Sequence, residues 1–426
     1  MKNIFGRAAC AIFAIASSAS AAAAAPAAKV NSGDNALILI ASALVLFMTL
    51  PGLALFYGGL VRAKNFLSVL MHSFCIAALA SVLWFALGYT LAFGAGGPWI
   101  GDLSRIGLSN LQPVREGLTV PESSFALYQM MFAVITPALI VGAFPERVRF
   151  LWLMLFSGAW LLVVYVPVAH WIWGGGWLAG LGVLDFAGGI VVHATAGISA
   201  LVLALMIGPR RDFKHQTLEP HSPAMTLVGA GMLWVGWFGF NGGSALAANN
   251  AAGNAILATH LAASSAALTW AIVERLKFRK VTSVGFVTGV IAGLATVTPA
   301  AGYITPAEGL LLGVVGSLVC FGAVLLIKGV WNIDDSLDVF AIHGVGGILG
   351  SLLLAFMADL PEGQTALGQL RAQAIGVGVV LLWSAVLTYA IAKAAALIAK
   401  MRVDNWAERD GLDISSHGER AYTPLS

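Results

Sequence analysis

The chain has 426 residues, of which 59% are hydrophobic and only 10% are charged, with a formal net charge of +3. Its mean hydropathy is +0.87, whereas ordinary soluble domains are about 25% charged. This composition excludes a soluble globular protein. Long continuous apolar runs also exclude a β-barrel, whose strands alternate in hydropathy over about ten residues. The sequence therefore predicts an all-α polytopic membrane protein.

The first residues are typical of a secretory signal peptide. Lys2 and Arg7 precede an apolar run, and an Ala/Ser-rich stretch ends just before Pro26. We expect cleavage near residue 25, with an uncleaved first span as the alternative. The predicted organisation is a signal peptide at 1–25, a transmembrane domain at 26–400 and a cytoplasmic tail at 401–426.

Eleven apolar segments follow, each long enough to cross a bilayer. They cover approximately residues 36–60, 66–93, 124–144, 149–170, 186–208, 225–247, 255–274, 281–299, 307–328, 338–358 and 370–399. Loops after the odd-numbered spans hold most of the Lys and Arg residues between spans. Because cytoplasmic loops are enriched in these residues, we expect the N-terminus outside and the C-terminus in the cytoplasm. Together with the expected signal peptide, this predicts a bacterial inner-membrane location.

Two spans carry a histidine at a matching position. Asp185, His193 and Gly197 are separated by eight and then four residues, and the same spacing recurs around His343 in DSLDVFAIHGVGG. His193 belongs to the fifth span and His343 to the tenth. Since five spans reverse the direction of the chain, we predict an inverted 5+5 repeat followed by one C-terminal helix.

Ionisable side chains at bilayer depth usually face an interior path, because their insertion costs roughly 3 kcal/mol for Asp. Neutral imidazoles donate at one nitrogen and accept at the other, so His193 and His343 can bond each other, contact a small polar guest and relay protons. The alternative is a pair of packing histidines. Asp185 is expected to cap the fifth helix and also to attract a cation.

A second set of residues combines aromatic rings with a hydroxyl group near the outer ends of the spans. A desolvated cation can be held by aromatic faces and an oxygen acceptor, worth about 2 kcal/mol or more. Interfacial packing is the alternative for each residue alone. No metal-ligand spacing or cofactor motif is found. The candidates are Phe132, Trp173, Trp237, Phe240 and Ser244.

Motifs along nearly the whole chain resemble those of the ammonium transporter (Amt/Mep/Rh) family, and specifically its bacterial Amt branch. They are LVLFMTLPGLALFYGGLVRAKN (ending at Asn65), VGAFPERVRF (141–150), HWIWGGG (170–176), DFAGGIVVHATAGISALVLALMIGPR (from Asp185), WFGFNGGSA (237–245), FAIHGVGG (340–347) and ERDGLDISSHGERAY (408–422). Two departures are Tyr128 in YQMM, where the pattern has Phe and smaller residues, and Pro145, where Ala is common.

The resemblance implies a homotrimer of eleven-span subunits, each with its own central pore. Ammonium would bind at Trp173 and Ser244, assisted by Phe132 and Asp185. Phe132 and Phe240 would form a stacked gate, with Tyr128 and Trp237 supporting the vestibule. Such a protein is not an enzyme, and its expected partners are ammonium or ammonia, methylammonium as a candidate second substrate, and membrane lipid, with no nucleic acid.

The tail resembles the regulatory tail of this family. By resemblance, it contacts neighbouring subunits and communicates with a PII-type signal-transduction protein that blocks the inner pore mouth; a merely solvating tail is the alternative. The tail residues that carry the motif are Glu408, Arg409, Gly411, Leu412, Asp413, His417, Gly418 and Glu419.

Ammonium matches potassium in charge and size, so a selective pore must use the proton that only ammonium can lose. We expect deprotonation beneath the Phe gate and passage of ammonia past the two histidines; the path of the proton stays open. Three rivals are a Rh-like gas channel, an ammonium sensor and an intramembrane hydrolase. Trp173 and the tail disfavour the first, and the third lacks a nucleophile or metal motif.

Overall fold

The computed structural model describes residues 29–213, 218–360 and 363–422, and the signal peptide expected at 1–25 lies outside them. Within these ranges the chain folds into a bundle of helices. The helices that cross or enter the membrane are α1 (Ser32–Leu60), α2 (Ala63–Phe93), α3 (Glu122–Ala143), α4 (Phe150–Gly180), α5 (Gly189–Ile207), α6 (Pro223–Gly242), α7 (Asn250–Phe278), α8 (Ser283–Val297), α9 (Pro306–Val330), α10 (Phe340–Met357) and α11 (Ala366–Ile398). Two short tail helices follow, α12 (Asn405–Asp410) and α13 (Leu412–His417).

Ten of these helices are long and apolar enough to cross a membrane within the described residues, which confirms the predicted all-helical, membrane-spanning fold. The exception is α8, which has 15 residues, about 22 Å at ~1.5 Å per residue. The predicted eighth span continued to residue 299, but the helix ends at Val297. Pro299 follows, and its carbonyl accepts the N–H of Phe186 at the entrance to α5. The count of eleven spans therefore stays a prediction.

The sixth span also ends earlier than predicted. Helix α6 stops at Gly242 rather than at residue 247, because the chain turns there: the N–H of Ser244 donates to the carbonyl of Asn241. Leu246 has a positive φ of 57°, which an uninterrupted helix does not allow. As a result Ser244 lies in the turn beyond the helix, on the side of the protein opposite the tail.

The first turns of α5 and α10 are π-helical, over Gly189–Ala194 and Phe340–Gly344. In α5 the N–H of His193 donates to the carbonyl of Gly188, five residues earlier, at 2.9 Å. Such π-helical turns are rare in proteins overall, but many of those that occur lie at functional sites. Each of the two histidines lies in one of these turns.

Helices α5 and α10 pack through glycines. A Cβ added to Gly197 would stand 2.3 Å from the Cα of Gly344, and one added to Gly347 would stand 2.5 Å from the carbonyl oxygen of Gly189. Gly197 and Gly347 each follow a histidine by four residues, so each helix presents its glycine to the histidine turn of the other. Small residues permit such close approach between membrane helices. The contact brings the two histidine turns together at the centre of the bundle.

Candidate functional site

The rings of His193 and His343 lie side by side in the protein interior. Their Nδ1 atoms are 3.2 Å apart, and the ring centroids are 5.1 Å apart with an interplanar angle of 22°. Both residues are buried. For a hydrogen bond at this distance one Nδ1 must donate and the other accept, so the two neutral rings hold opposite tautomers.

Two buried carboxylates hold the histidine turns. Asp185 accepts hydrogen bonds from four backbone N–H groups, those of residues 188 to 191, at 2.7 to 3.0 Å. Asp335 accepts those of Val339 and Phe340 at 3.0 and 2.7 Å. The first N–H groups of a helix have no partner within the helix, so a carboxylate there fixes where the helix begins. The repeated eight-residue spacing thus sets the height of each histidine above its cap.

On the side of His193 away from His343 lies a group of aromatic rings, Trp237, Phe240 and Phe132, which we call the aromatic column. The rings of Phe132 and Phe240 are 4.4 Å apart at 40°, and Phe240 is 6.0 Å from His193. Trp237 stacks on His193 at 5.5 Å and 18°, while its Nε1 donates to Thr298 Oγ1 at 2.9 Å. The two phenylalanines predicted as a gate are therefore in contact, and the inner one, Phe240, lies next to His193.

Trp173 and Ser244 lie at the outer end of this column. The Trp173 ring is 5.5 Å from Phe132 at 79°, and its Nε1 donates to the backbone carbonyl of Asp185 at 2.8 Å. Ser244 Oγ donates to the carbonyl of Phe240 at 2.8 Å. A hydroxyl group has one proton and two lone pairs, so this oxygen keeps its capacity to accept. Trp173 and Ser244 are both only partly buried.

Tyr128 links the outer end to the gate. Its hydroxyl lies 2.8 Å from the carbonyl oxygen of Phe240, 3.0 Å from that of Gly239 and 3.2 Å from Ser244 Oγ. Its ring is 5.0 Å from Phe132. A Phe at position 128, as in the family pattern, could pack in the same way but could not form these bonds. Tyr128 thus fastens α3 to the last turn of α6, which carries Phe240.

Two cavities meet at His343. The smaller one, about 10 Å³, is lined by both histidines and by Phe56, Trp237 and Phe240, together with methionine and aliphatic side chains. This volume holds about one molecule the size of water. Within the described residues, the buried Nε2 of His193 has no hydrogen-bond partner. A small polar guest in this cavity would therefore meet an apolar wall interrupted by imidazole nitrogens.

The larger cavity has a volume of about 350 Å³ and opens on the side of the tail. His343 lines both cavities, as do Phe56 and Ile291. The inner mouth is polar, and Lys328 Nζ donates to Asp338 Oδ2 at 2.8 Å there. Neither Lys328 nor Asp338 is among the functional residues predicted from the sequence. The signal that could have found them is charge at the edges of apolar segments, since Lys328 ends the predicted ninth span and Asp338 begins the tenth.

Loops on the tail side are joined by buried ion pairs. Glu146 is bonded by Arg62 at 3.0 Å and by Arg210 at 3.6 Å, and Arg210 also contacts Asp334 at 2.9 Å. Burial acts to raise the pKa of Glu146, but Arg210 and Arg62 outweigh it and hold that pKa below its ordinary value. Opposite charges that are both buried fix the relative positions of the loops, because separating them would leave an unpaired charge.

The tail packs against this network. Glu408 accepts from the N–H of Arg211 at 2.9 Å and pairs with Arg402 at 2.9 Å. The N–H of Leu412 donates to Asn65 Oδ1 at 2.8 Å. Asp413 accepts the N–H groups of residues 67 and 68 at 3.1 and 2.8 Å. These bonds join the tail to the start of α2 and to the loop after α5.

The remaining tail residues differ in their contacts. Gly411 has φ +106°, and a Cβ there would stand 2.5 Å from the carbonyl oxygen of Lys64. His417 lies 5.3 Å from the ring of Phe150, and burial lowers its pKa although Asp413 and Glu419 act to raise it. Gly418 ends α13 at φ +72°. The side chains of Arg409 and Glu419 are exposed.

Comparison with known proteins matches residues 36–422 to the model of the Ammonium Transporter Family. An ammonium transporter of Bacillus subtilis is 42% identical over 400 residues, covering 92% of this chain and 98% of that protein. Ammonium transporter Amt1 of Archaeoglobus fulgidus is 42% identical over 402 residues, covering 92% and 100%.

Solved structures agree with this match. A sensor Amt protein superposes with a TM-score of 0.85 at 30% identity, covering 90% of this chain and 98% of that one. Saccharomyces cerevisiae Mep2 superposes with a TM-score of 0.83 at 36% identity, covering 88% of each chain.

Proposed function

This chain belongs to the Ammonium Transporter Family, and from that premise we propose that it selects ammonium at its outer face, removes a proton beneath the Phe gate and conducts ammonia between His193 and His343. Transport of ammonium across a membrane, rather than catalysis, is the activity of the family. The proposal concerns the steps by which this chain performs it.

The contact between the two histidines, at the junction of the two cavities, is the observation that carries the proposal. Moving an intact monovalent ion into a dry apolar space costs tens of kcal/mol in the idealised limit. Contact with an aromatic face returns only about 2 kcal/mol. Neutral ammonia avoids most of this cost and can still hydrogen-bond to imidazole nitrogens. A narrow apolar passage with imidazole edges therefore favours ammonia over ammonium and over potassium.

We assign recruitment of ammonium to Trp173 and Ser244, with Phe132 completing the aromatic wall. The Trp173 indole is held by the Asp185 carbonyl, so its ring face is fixed beside Phe132. Ser244 offers an oxygen acceptor. Asp185 adds a buried negative charge close behind Trp173, although its carboxylate oxygens are occupied by backbone N–H groups. Asp185 would therefore attract the cation electrostatically from its place behind Trp173, without contacting it directly.

Phe132 and Phe240 are the proposed gate, because their contact separates the outer end from the small cavity. Rotation of these rings would admit one small molecule at a time. Tyr128 and Trp237 support the gate through their bonds to the α6 turn and to Thr298. The departing proton returns outside or passes along the histidine pair, and the two routes differ in whether transport carries a current.

Solid-supported-membrane current, measured with ammonium and with potassium, tests the proposal. The comparison uses wild type, His193→Ala and His343→Ala, with His260→Ala as a matched control on the exposed face of α7. Ammonium-dependent current that is lost in His193→Ala supports a proton relay. Uptake without current indicates net ammonia transport. Ammonium uptake that persists unchanged in both pore variants would contradict the proposed pathway.

For assembly and location, we propose a homotrimer in a bacterial inner membrane, with the tail in the cytoplasm. The lysines and arginines concentrated in loops on the tail side support this orientation. The resemblance of the tail motif supports regulation by a PII-type protein. Packing of Glu408, Leu412 and Asp413 against the inner loops gives such a partner a route to the pore mouth.

Ammonium sensing is a second candidate function, favoured by the similarity to a structure described as a sensor Amt protein. Growth of a transport-deficient strain on limiting ammonium separates the two functions. Rescue by this chain supports transport, whereas failure to rescue by a correctly inserted protein supports sensing.

A further inference from the structure

The turn that follows α8 is packed against the first turn of α5. It begins at Thr298, directly after the last residue of the helix. The carbonyl of Pro299 accepts the N–H of Phe186, at the entrance to α5, at 3.0 Å. A side chain added at Gly189 would overlap the Pro299 ring. The turn therefore lies directly against the segment that carries His193.

Thr298 also holds Trp237 of α6 through one hydrogen bond. Its hydroxyl donates to the carbonyl of Leu294 at 2.8 Å, so its oxygen can only accept from any further partner. An indole nitrogen can only donate, and Nε1 of Trp237 lies 2.9 Å from that oxygen. Both side chains are buried. Because each group has one role open to it, the bond defines which edge of the indole faces α8.

The Trp237 ring covers one face of the His193 ring. The centroids are 5.5 Å apart and the planes differ by 18°. Nδ1 of His193 meets Nδ1 of His343, and its Nε2 is buried without a partner among the residues that the structure describes. Half a turn of the imidazole about its Cβ–Cγ bond would replace both nitrogens by ring carbons. A fixed indole beside the ring opposes this rotation, because closely packed interiors leave no free volume for it.

We propose that Thr298 is a positioning residue for His193 and acts through Trp237. Its hydroxyl fixes the indole, and the indole keeps the imidazole with Nδ1 toward His343 and Nε2 toward the small cavity. Thr298 itself does not line that cavity, so its effect is indirect. This inference rests on the proposed function, since it concerns the orientation of an imidazole in the proposed ammonia path.

Ammonium uptake by proteoliposomes tests the role of the hydroxyl in the pair Thr298→Val and Thr298→Ser. Valine has nearly the shape of threonine, but it would leave the indole N–H buried without a partner, whereas serine keeps the acceptor. We expect Thr298→Val to lower the maximal rate roughly tenfold and to change KM less than about twofold, because Trp173 and Ser244 keep their contacts. Thr298→Ser should restore most of the rate.

Thr296→Val is the matched control for this change. Thr296 belongs to the same helix and is buried, and its hydroxyl donates to the carbonyl four residues earlier at 2.8 Å, as that of Thr298 does. It does not bond Trp237, so its rate should stay close to that of wild type. Equal losses in Thr296→Val and Thr298→Val overturn the proposal. A loss in Thr298→Ser as large as in Thr298→Val also overturns it.

Solid-state NMR of protein with isotopically labelled histidine observes the ring itself. We expect His193 to hold a single tautomer in wild type and a mixture of tautomers in Thr298→Val, because a rotated ring loses its bond to His343. A single, unchanged tautomer in Thr298→Val overturns the proposal. Trp237→Phe serves if Thr298→Val does not fold: it lacks the N–H, so it should show the same mixture and the same loss of rate. Wild-type behaviour of Trp237→Phe overturns the proposal.

Uptake by His193→Ala separates this inference from the proposed function. Uptake that persists unchanged in His193→Ala would contradict the proposed pathway and, with it, the role of Thr298. If uptake is lost in His193→Ala but Thr298→Val transports like wild type, the pathway stands and only the positioning role is wrong.

Discussion

The hydroxyl of Tyr128 donates to the backbone carbonyl of Phe240 at 2.8 Å, so the inner ring of the proposed gate is carried by a turn that a neighbouring helix holds in place. The same hydroxyl is 3.2 Å from Ser244 Oγ. One side chain therefore contacts both the backbone of the gate and the oxygen proposed to receive ammonium. This coupling leads to the first prediction.

Tyr128→Phe should keep the fold and weaken transport at low ammonium concentration. It removes the hydroxyl bonds but keeps the ring beside Phe132, and a lost neutral hydrogen bond costs about 1 kcal/mol. We expect a KM for ammonium raised by roughly fivefold, with a smaller change in maximal rate. Uptake kinetics in proteoliposomes measure this, with Tyr389→Phe at an exposed position as control. An unchanged KM would contradict the assigned link.

Asp185→Asn should destabilise the protein and impair transport together. The carboxylate accepts four N–H groups, whereas an amide has one oxygen, and its NH₂ group would face donors. Each buried donor left without a partner costs about 1–3 kcal/mol. Thermal unfolding in detergent and ammonium uptake should both decline.

Asp102→Asn, in the exposed outer loop, is the matched control for this change. It should alter neither the unfolding temperature nor uptake. If Asp185→Asn kept full stability while losing only ammonium affinity, the capping role would be wrong and a direct cation contact would be indicated.

Gly197→Ala should separate α5 from α10. The added Cβ would stand 2.3 Å from the Cα of Gly344, and overpacking of a well-packed interior costs about 1–3 kcal/mol. Because the contact also positions the histidines, transport should fall more than the amount of folded protein does. Gly378→Ala in α11 is the control, since nothing lies within 4 Å of its added Cβ. Equal behaviour of the two variants would exclude a specific role of the glycine contact.

Gly411→Ala should release the tail from the inner loops. Its φ of +106° is unfavourable for any residue with a Cβ, and that atom would clash with the carbonyl of Lys64. Proteolysis within residues 405–422 should become faster than in wild type. Gly418→Asn is the control, because φ +72° is tolerated by Asn and space is open there. Slow proteolysis of the Gly411 variant would show that the tail tolerates the clash.

Deletion of the residues after Met401 should abolish inhibition by a PII-type protein while leaving the pore helices intact. The tail holds Glu408, Leu412 and Asp413 against the inner loops, so its removal takes away the proposed route to the pore mouth. Uptake with and without the partner measures the effect. Undiminished inhibition of the truncated protein would show that the partner acts on the inner loops alone.

Much of the fold was predictable because apolar runs report directly on membrane spans. The repeated Asp–His–Gly spacing predicted that His193 and His343 occupy equivalent places in two halves, and the structure brings their rings into contact. Spacing predicted this because the cap fixes each histidine's place on its own helix, and the glycine four residues later lets the histidine turn of the other helix approach. For the placement of the two histidines, the local sequence pattern was sufficient.

Other features were not predictable, because they depend on partners far away in sequence. The hydrogen bond from Leu412 to Asn65 joins residues 347 positions apart, and no local sequence pattern predicts it. Tyr128 was recognised only as a departure from a family pattern. The role of its hydroxyl depends on α6, whose last turn supplies the carbonyl groups that it contacts. The early end of α8 at Val297 is a different case, because Pro299 is a local stop signal that hydropathy alone does not report.

The seam between α5 and α10 limits how this protein can move. Glycine backbones touch directly, and the imidazole bond crosses the same seam, so swinging one half away from the other would pull the lumen itself apart. A carrier that alternates between outward-open and inward-open shapes would have to separate these two helices. Under the proposed function, we therefore expect the gate rings and small guests to move while the contact between α5 and α10 stays closed.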